Sequence, residues 1–206
     1  MTRIRRKDYE QTDGATIRAF LDAATHGYLS FVRPDGSPGI IAVNFVRAGE
    51  TIYFHGALEG EKMASLPLRP SVALMVADDF SLVPSFFRDP EFACPATQFY
   101  KAVIVRGDAR IVSSLEEKAV ALQALMEKLE PQGGYRPISA EDPGYESRLE
   151  TVAVVAVPMA EVTAKFKFAQ NLPRRARARV ARQLLARDAP GDARSVQAMR
   201  DAKPFD

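Results

Sequence analysis

His55, Gly56 and Lys62 are the residues whose types and spacing point most directly to chemistry. His55 and Gly56 end an apolar run that is typical of a strand, and Lys62 follows in a segment that is typical of a helix. The start of a helix presents unpaired backbone N–H groups and the positive end of its dipole. A helix start beside a polar strand end and a lysine could therefore hold an anionic group. The plainer alternative is a hairpin packed on a helix, with Lys62 in solvent.

A β-hairpin and a helix are predicted to position these residues. Apolar runs at residues 40–46 and 51–55 flank a loop that contains Gly49, which is the pattern of an antiparallel hairpin. Residues 57–66 then form a predicted helix that ends before Pro67.

Side-chain alternation along the first of these strands assigns each residue to a face. Ala42, Asn44 and Val46 share one side, while Val43 and Phe45 take the other. We expect the first side to be buried. Asn44 would then be a polar residue that needs hydrogen-bond partners from a neighbouring strand or from a ligand.

The remaining segments predict a mainly β protein. A helix is expected at residues 14–25 behind an Asp13 cap, and another where Ser114 opens a capping box. Residues 78–96 are expected to form an edge strand and a loop, and residues 137–147 a polar connection. Further strands are expected at 27–32, 71–77, 97–112, 151–158 and 161–168, with the last two paired, and further helices at 174–187 and 194–202. This order favours a β barrel of about six strands with peripheral and C-terminal helices over a doubly wound sheet.

Composition indicates an ordinary globular protein. The 206 residues are 47% hydrophobic and 26% charged, and no apolar run reaches membrane-spanning length. The first twenty residues lack the apolar core of a signal peptide, so we expect a cytoplasmic protein. Cys94 is the single cysteine, and with only His26 and His55 the sequence predicts neither a disulfide framework nor a metal site.

Positive charge is concentrated between residues 165 and 187. This segment carries eight bases and no acid, and Arg3, Arg5, Arg6 and Lys7 add four more at the N-terminus. The eight bases are Lys165, Lys167, Arg174, Arg175, Arg177, Arg179, Arg182 and Arg187. Such a segment could bind nucleic acid, pack on an acidic surface, or form a solvated helix face. The last two are favoured because no nucleic-acid-binding motif accompanies it.

The familiar catalytic motifs are missing from the sequence. There is no G-x-G-x-x-G and no G-x-S-x-G, and the glycines at 56 and 60 before Lys62 do not have the spacing of a phosphate loop. Nucleophilic hydrolysis is therefore not indicated. If the protein is an enzyme, a cofactor must supply the difficult chemistry.

Several segments in succession resemble a known family. These are VNF, TIYFHGALEGEKM, a cysteine followed by ATQFYKAVIVRGDARIV, and EEKAVALQALMEKL. Together they resemble the flavin-binding split-barrel family that includes pyridoxamine 5′-phosphate oxidase and the nitroimidazole-resistance flavoproteins. RIRRKDYE is similar to the nitroimidazole-resistance branch, and KFKFAQNLP to the C-terminal signature of bacterial FMN-binding transcriptional-regulator relatives. The resemblance extends over nearly the whole chain.

The resemblance implies a homodimer of six-stranded split barrels with one FMN in each of two clefts at the subunit interface. By matched position, Ala42, Val43 and Asn44 would edge the isoalloxazine, Phe54 and His55 would line its site, Lys62 would hold the phosphate, and Lys101 and Ala102 would reach the flavin of the other subunit. No catalytic residue is assigned. Two positions depart from the family pattern: Glu61 stands where many relatives have a base, and Ala102 where a hydroxyl or amide is common.

The function implied is an FMN-dependent oxidoreductase that passes electrons from NADH or NADPH to a small organic acceptor or to oxygen. Two alternatives stay open: a non-catalytic flavin- or haem-binding regulator of the same fold, and a dimer that has lost its cofactor. We expect one split-barrel domain over residues 1–206, with a basic helical extension at about 170–206. Gln170 and Asn171 are expected to cap the helix that follows them, with a ligand contact as the alternative.

Overall fold

A computed structural model describes residues 4–205 of the chain. Within that range the chain forms eight β-strands and six α-helices. The strands are β1 His26–Val32, β2 Pro38–Ala48, β3 Thr51–Gly56, β4 Ser71–Val83, β5 Thr97–Asp108, β6 Arg110–Ile111, β7 Ala153–Pro158 and β8 Glu161–Lys167. The helices are α1 Gly14–Ala23, α2 Glu61–Ser65, α3 Leu115–Leu129, α4 Pro143–Glu150, α5 Arg174–Arg187 and α6 Asp192–Ala202.

The strands form one sheet in the order β6-β7-β3-β2-β1-β4-β5-β8. The mainly β class predicted from the sequence is confirmed, with eight strands instead of six. One reason is that the segment expected as a single strand at 97–112 is divided at Ala109 into β5 and β6. The segments at 151–158 and 161–168 were expected to pair, but β7 and β8 lie at different positions in the sheet and are not neighbours.

The chain divides into two compact units. Unit 1 contains the described residues of 1–17, 77–103 and 163–206, and unit 2 contains 18–76 and 104–162. The expected single domain with an extension at about 170–206 stays a prediction.

Unit 2 contains the predicted hairpin. β2 and β3 pair antiparallel from Phe45 with Phe54 to Ala48 with Thr51, and Gly49 adopts φ 58° in the two-residue turn between them. Glycine adopts this left-handed conformation at no steric cost because it has no Cβ. The alternating inward side chains of β1, β2 and β3 form the core, and those less than 3% exposed are Leu29, Phe31, Phe45, Ile52 and Phe54. The apolar alternation read from the sequence thus sets the core face.

The Ser114 cap of α3 is confirmed, but the capping box is only half formed. The backbone N–H of Glu117 donates to Ser114 Oγ at 3.2 Å. The Glu117 carboxylate does not bond back to the helix start, because it accepts from Tyr53 Oη at 2.9 Å and from Arg110 Nη1 at 3.0 Å. The carboxylate therefore ties the helix to β3 and β6.

Unit 1 is held together around α5 and α6. The Asp192 carboxylate is 1% exposed and accepts from Arg187 Nε at 2.8 Å, from Ser81 Oγ at 2.5 Å and from the backbone N–H of Ala189 at 3.0 Å. These bonds lower the pKa of Asp192 to about 2, with the Arg187 bond the largest cause. The pair fixes α5 and α6 against β4.

Two predicted boundaries were wrong for identifiable reasons. The helix expected at 57–66 is reduced to α2, because Gly60 has φ 111° and does not fit a helical conformation. The strand expected within 78–96 is present as the end of β4, which lies between β1 and β5 and not at the edge of the sheet. The polar connection at 137–147 contains the start of α4, where Asp142 Oδ1 accepts from Gly144 N at 2.7 Å and Pro143 occupies the first helical position.

None of the helices within residues 4–205 is long and apolar enough to cross a membrane.

Candidate functional site

Ala42 and Asn44 lie on the solvent-exposed side of β2, not on a buried face as expected. β1 pairs beside them, with Tyr28 opposite Ala42 and His26 opposite Asn44. Asn44 Nδ2 donates to the backbone oxygen of Thr25 at 3.0 Å, so its polar group is satisfied at the surface. The expectation failed because Val46 is buried and Asn44 is not, so the alternation changes between these two residues.

Val43 and Phe54 occupy the opposite side of the same hairpin. Their side chains are 8% and 1% exposed, and both belong to the core. Of the residues predicted to contact a flavin ring, these two support the strands and do not present side chains to solvent.

His55, Gly56 and Lys62 come together at the end of β3. A Cβ atom at Gly56 would lie 2.5 Å from Lys62 Nζ, so the ammonium group lies directly over the glycine. Although His55 has an exposed surface, its ring is partly desolvated, and this burial followed by the nearby Lys62 charge lowers its pKa. The lowered pKa favours the neutral imidazole next to Lys62.

The positive charge at this site comes from the Lys62 side chain, since α2 has only five residues. The dipole of so short a helix is small, because the macrodipole grows from many aligned peptide units. An anion bound at this site would therefore be held mainly by the Lys62 ammonium and only weakly by the dipole of α2.

Glu61 is held by Arg33, which was not foreseen. Arg33 Nε donates to Glu61 Oε1, and its Nη1 donates to the backbone oxygen of Pro38. The guanidinium offsets the carboxylate charge that departs from the family pattern beside Lys62. No local signal could have identified this pair, since the partners are separated by 28 residues.

Lys101 and Ala102 lie on the part of β5 that belongs to unit 1. Lys101 Nζ lies 5.5 Å from the Phe80 ring centroid and 5.2 Å from that of Phe166, within cation–π range. The lysine also lines a cavity of about 430 Å³ in unit 1, together with Tyr9 and other residues. Ala102 is 8% exposed. Their predicted reach to the flavin of another subunit stays a prediction.

The basic segment serves several purposes. Arg187 binds the buried Asp192, and Arg177 is buried with its Nη1 donating to Leu172 O at 3.0 Å and its Nη2 to Pro204 O at 2.8 Å. Arg175, Arg179 and Arg182 are exposed on α5. A solvated helix face therefore applies to the three exposed arginines, whereas packing against an acidic group applies to Arg187. Arg3 lies outside the described residues.

Gln170 and Asn171 do not cap α5, contrary to expectation. Gln170 Nε2 donates to Phe166 O at 2.6 Å and its Oε1 accepts from Phe168 N at 2.7 Å, which braces the turn after β8. Asn171 Oδ1 accepts from Tyr9 Oη at 2.5 Å. The cap position of α5 is taken by Pro173, which makes no side-chain bond to the helix.

The chain belongs to the pyridoxamine 5′-phosphate oxidase family. The family model matches residues 13–166, which covers the hairpin, Lys62, Lys101 and α3. No curated protein matches the chain. The family resemblance inferred from the sequence is confirmed.

Solved structures with the same fold are distant in sequence. The flavocytochrome Anf3 from Azotobacter vinelandii is 23% identical, with a TM-score of 0.67 over 80% of this chain and 72% of that one. A candidate 5-nitroimidazole antibiotic resistance protein from Bacteroides thetaiotaomicron is 21% identical, with a TM-score of 0.58 over 80% of this chain and 95% of that one. An FAD and heme binding protein from Mycobacterium smegmatis is 17% identical, with a TM-score of 0.64 over 77% and 73%. These likenesses confirm the split-barrel fold.

Proposed function

We propose that this protein binds FMN and acts as an oxidoreductase that passes electrons from NADH or NADPH to a small organic acceptor or to oxygen. Family membership and the split-barrel fold, shared with a flavocytochrome and an FAD and heme binding protein, support a flavin. The single observation that carries the proposal is the Lys62 ammonium over Gly56, next to His55 at the end of β3.

Lys62 suits a phosphate group for electrostatic reasons. Among residues 4–205 no carboxylate pairs with its ammonium, while the neighbouring Glu61 is already paired with Arg33. A charge-assisted bond from the ammonium to a phosphate oxygen would contribute about 1.5–3 kcal/mol. The absence of a Cβ at Gly56 leaves room for the lysine to hold this position.

The exposed side of β2 suits the edge of a flat ring. Ala42 has a small side chain, so a planar group can approach the strand closely. Asn44 uses Nδ2 for Thr25, which leaves Oδ1 to accept from a ligand N–H group, since none of the described residues bonds to it. A bound flavin supplies the hydride and single-electron chemistry that the side chains lack. The protein's part is to hold the phosphate, orient the ring edge and keep His55 neutral beside it.

We also propose that a second copy of the chain covers the exposed side of β1, β2 and β4. Tyr28 pairs with Ala42 on one side and with Met75 on the other, so these residues share a face, and Ile40 lies two positions from Ala42 on the same strand. Tyr28, Ile40 and Met75 are 43%, 68% and 39% exposed. A continuous apolar patch of this kind favours association. Lys101 and Ala102 would then contribute to the partner's flavin site, and the cytoplasmic location stays a prediction.

Anaerobic reduction of the FMN-loaded protein tests the proposed activity. We expect the yellow colour to bleach when NADH or NADPH is added and to return with oxygen. Colour that does not bleach would contradict the oxidoreductase and favour the non-catalytic flavin-binding alternative. A protein that takes up no added FMN would contradict the cofactor itself. Sedimentation of the same sample tests the dimer, because a monomer at micromolar concentration would contradict the second copy.

A further inference from the structure

A cleft of about 340 Å³ in unit 1 is lined by cations. Five basic side chains face it, and no aspartate or glutamate lines it. The five are Arg5, Arg6, Arg88, Lys165 and Lys167. Its volume lies within the range of about 300–1,000 Å³ that is usual for small-molecule sites.

The cations in this cleft have no ion-pair partner, although the charge of Asp89 acts on Arg88. Within residues 4–205, none of the five cations forms an ion pair with a carboxylate. Burial lowers the pKa of Lys167, and the charges of Lys165 and Arg6 act in the same direction. Like charges gathered in a partly desolvated cleft raise the free energy of the protein, and a bound anion would lower it.

The two lysines of the cleft lie on β8 and contact the same residue of β5. Lys165 and Lys167 are two residues apart on β8, so their side chains leave the strand on the same face. Their Nζ atoms lie 5.4 and 5.7 Å from the ring centroid of Tyr100 on β5. Lys167 Nζ also donates to Thr97 Oγ1. Both ammonium groups are thus held beside one aromatic ring.

The turn after β8 forms one end of the cleft and is held by hydrogen bonds. Ala169, which lines it, has φ 62°, a left-handed conformation that costs a residue with a Cβ about 1 kcal/mol or more. Gln170 is 7% exposed and holds this turn through its two bonds to Phe166 and Phe168. Tyr9, 6% exposed, donates to Asn171 Oδ1 and so orients the Asn171 amide at the cleft. Backbone strain that persists in this way is concentrated at ligand sites.

We propose that this cleft binds a phosphorylated small molecule. A phosphate monoester offers three oxygens and a charge near −2, which matches several converging N–H donors better than a single carboxylate does. Arg88 supplies the planar fork suited to phosphate oxygens, and the two lysines supply point charges. The volume leaves room for the group that carries the phosphate. This inference stands independently of the proposed FMN site, since none of the residues assigned to that site lines the cleft.

Titration with inorganic phosphate tests the inference. We would load the protein with FMN and measure binding by calorimetry in chloride buffers of constant ionic strength. Saturable binding is expected, and Arg88→Gln and Lys167→Gln should each weaken it at least fivefold. Arg182→Gln is the matched control, because it removes an exposed base of α5 that does not line the cleft, and it should leave the affinity unchanged.

Several results would overturn the inference that the cleft binds phosphate. Absence of saturable phosphate binding would overturn the inference, as would equal weakening by Arg182→Gln. If Arg88→Gln released FMN while wild-type protein bound no additional phosphate, the cleft would belong to the flavin site and the proposal would be wrong. Because Arg88 is exposed, its variant is expected to fold, and its circular dichroism spectrum checks this.

Discussion

The two units of the molecule treat their basic side chains differently. In unit 2 almost every base is engaged by the fold: Arg47 pairs with Asp22, Arg110 pairs with Glu117, and Lys118 donates to two backbone oxygens. Lys62 and Arg69 are the exceptions there. In unit 1, Arg187 and Arg177 are engaged in the same way, but five further bases share one cleft without a carboxylate.

This difference separates bases that stabilise the fold from bases that are available to a ligand. A cation bonded to carbonyl or carboxylate oxygens is already satisfied, and its removal should change stability. A cation with no partner should change ligand binding instead. A single ammonium and a group of cations can both bind a phosphate group, but the group of cations offers it more N–H donors.

Replacing Arg187 with glutamine should have the largest effect on stability. The buried Asp192 carboxylate would lose its main partner, which costs about 3 kcal/mol. Arg182→Gln, on the exposed side of the same helix, should cost less than about 0.5 kcal/mol. Urea unfolding of both variants measures the difference, and equal stability of the two would break the distinction between engaged and free bases.

The pair of Arg187 and Asp192 also makes the stability of the fold depend on pH in the acid range. Because the pKa of Asp192 falls to about 2 from 3.8, the stability that the pair contributes is complete above about pH 4 and is lost as the pH falls toward 2. In Arg187→Gln this part of the acid dependence should become weaker.

Lys128 provides the corresponding test in unit 2. Its Nζ donates to Leu21 O at 3.2 Å and to Phe45 O at 3.1 Å, and burial lowers its pKa to about 8. Between about pH 8 and 10 the unfolded chain therefore binds more protons than the folded chain, so stability should rise with pH. The rise should be about 1–2 kcal/mol, since the side chain is partly solvated.

Lys128→Met should flatten this rise, while Lys7→Met, at an exposed position in unit 1, should preserve it. Unfolding free energies measured between pH 7.5 and about 10 check the slope. An unchanged slope in Lys128→Met would show that this lysine is not desolvated in the fold.

Gly56→Ala should have a smaller effect than the changes above. It should alter ligand binding by Lys62 and not the stability of the fold. The new Cβ would lie 2.5 Å from Lys62 Nζ and push the ammonium aside, with little effect on the fold because the end of a lysine moves easily. We expect FMN affinity to fall about three- to tenfold, which corresponds to a weakened and not a deleted charge-assisted bond. The circular dichroism spectrum of the variant checks that the fold is intact, and an unchanged FMN affinity would contradict the placement of the ammonium over Gly56.

The sequence predicted the regular elements better than the contacts between them. The amphipathic helix behind Asp13 and the hairpin around Gly49 follow from local patterns, and both are present. The pairing of Arg33 with Glu61 and of Tyr9 with Asn171 joins residues 28 and 162 positions apart, so no periodicity could reveal it.

For the candidate site, too, the sequence predicted some features and missed others. The strand and helix patterns brought His55 and Lys62 into one hypothesis, and the structure places both at Gly56. The exposure of Asn44 was missed because alternation assigns a face but does not say which face meets solvent. The left-handed Ala169 was missed because alanine gives no sequence signal for a positive φ.

FMN retention by wild-type protein and by Lys62→Ala tests the central claim most directly. Each protein would be incubated with FMN, desalted, and examined by its visible absorbance spectrum, with Arg69→Ala as the control for loss of an exposed unpaired base in the same unit. We predict that wild type and Arg69→Ala keep the flavin absorbance, and that Lys62→Ala binds FMN about 10- to 100-fold more weakly and loses it, with the fold intact. Equal retention by all three proteins, or none by wild type, would contradict the assignment of Lys62 to a flavin phosphate.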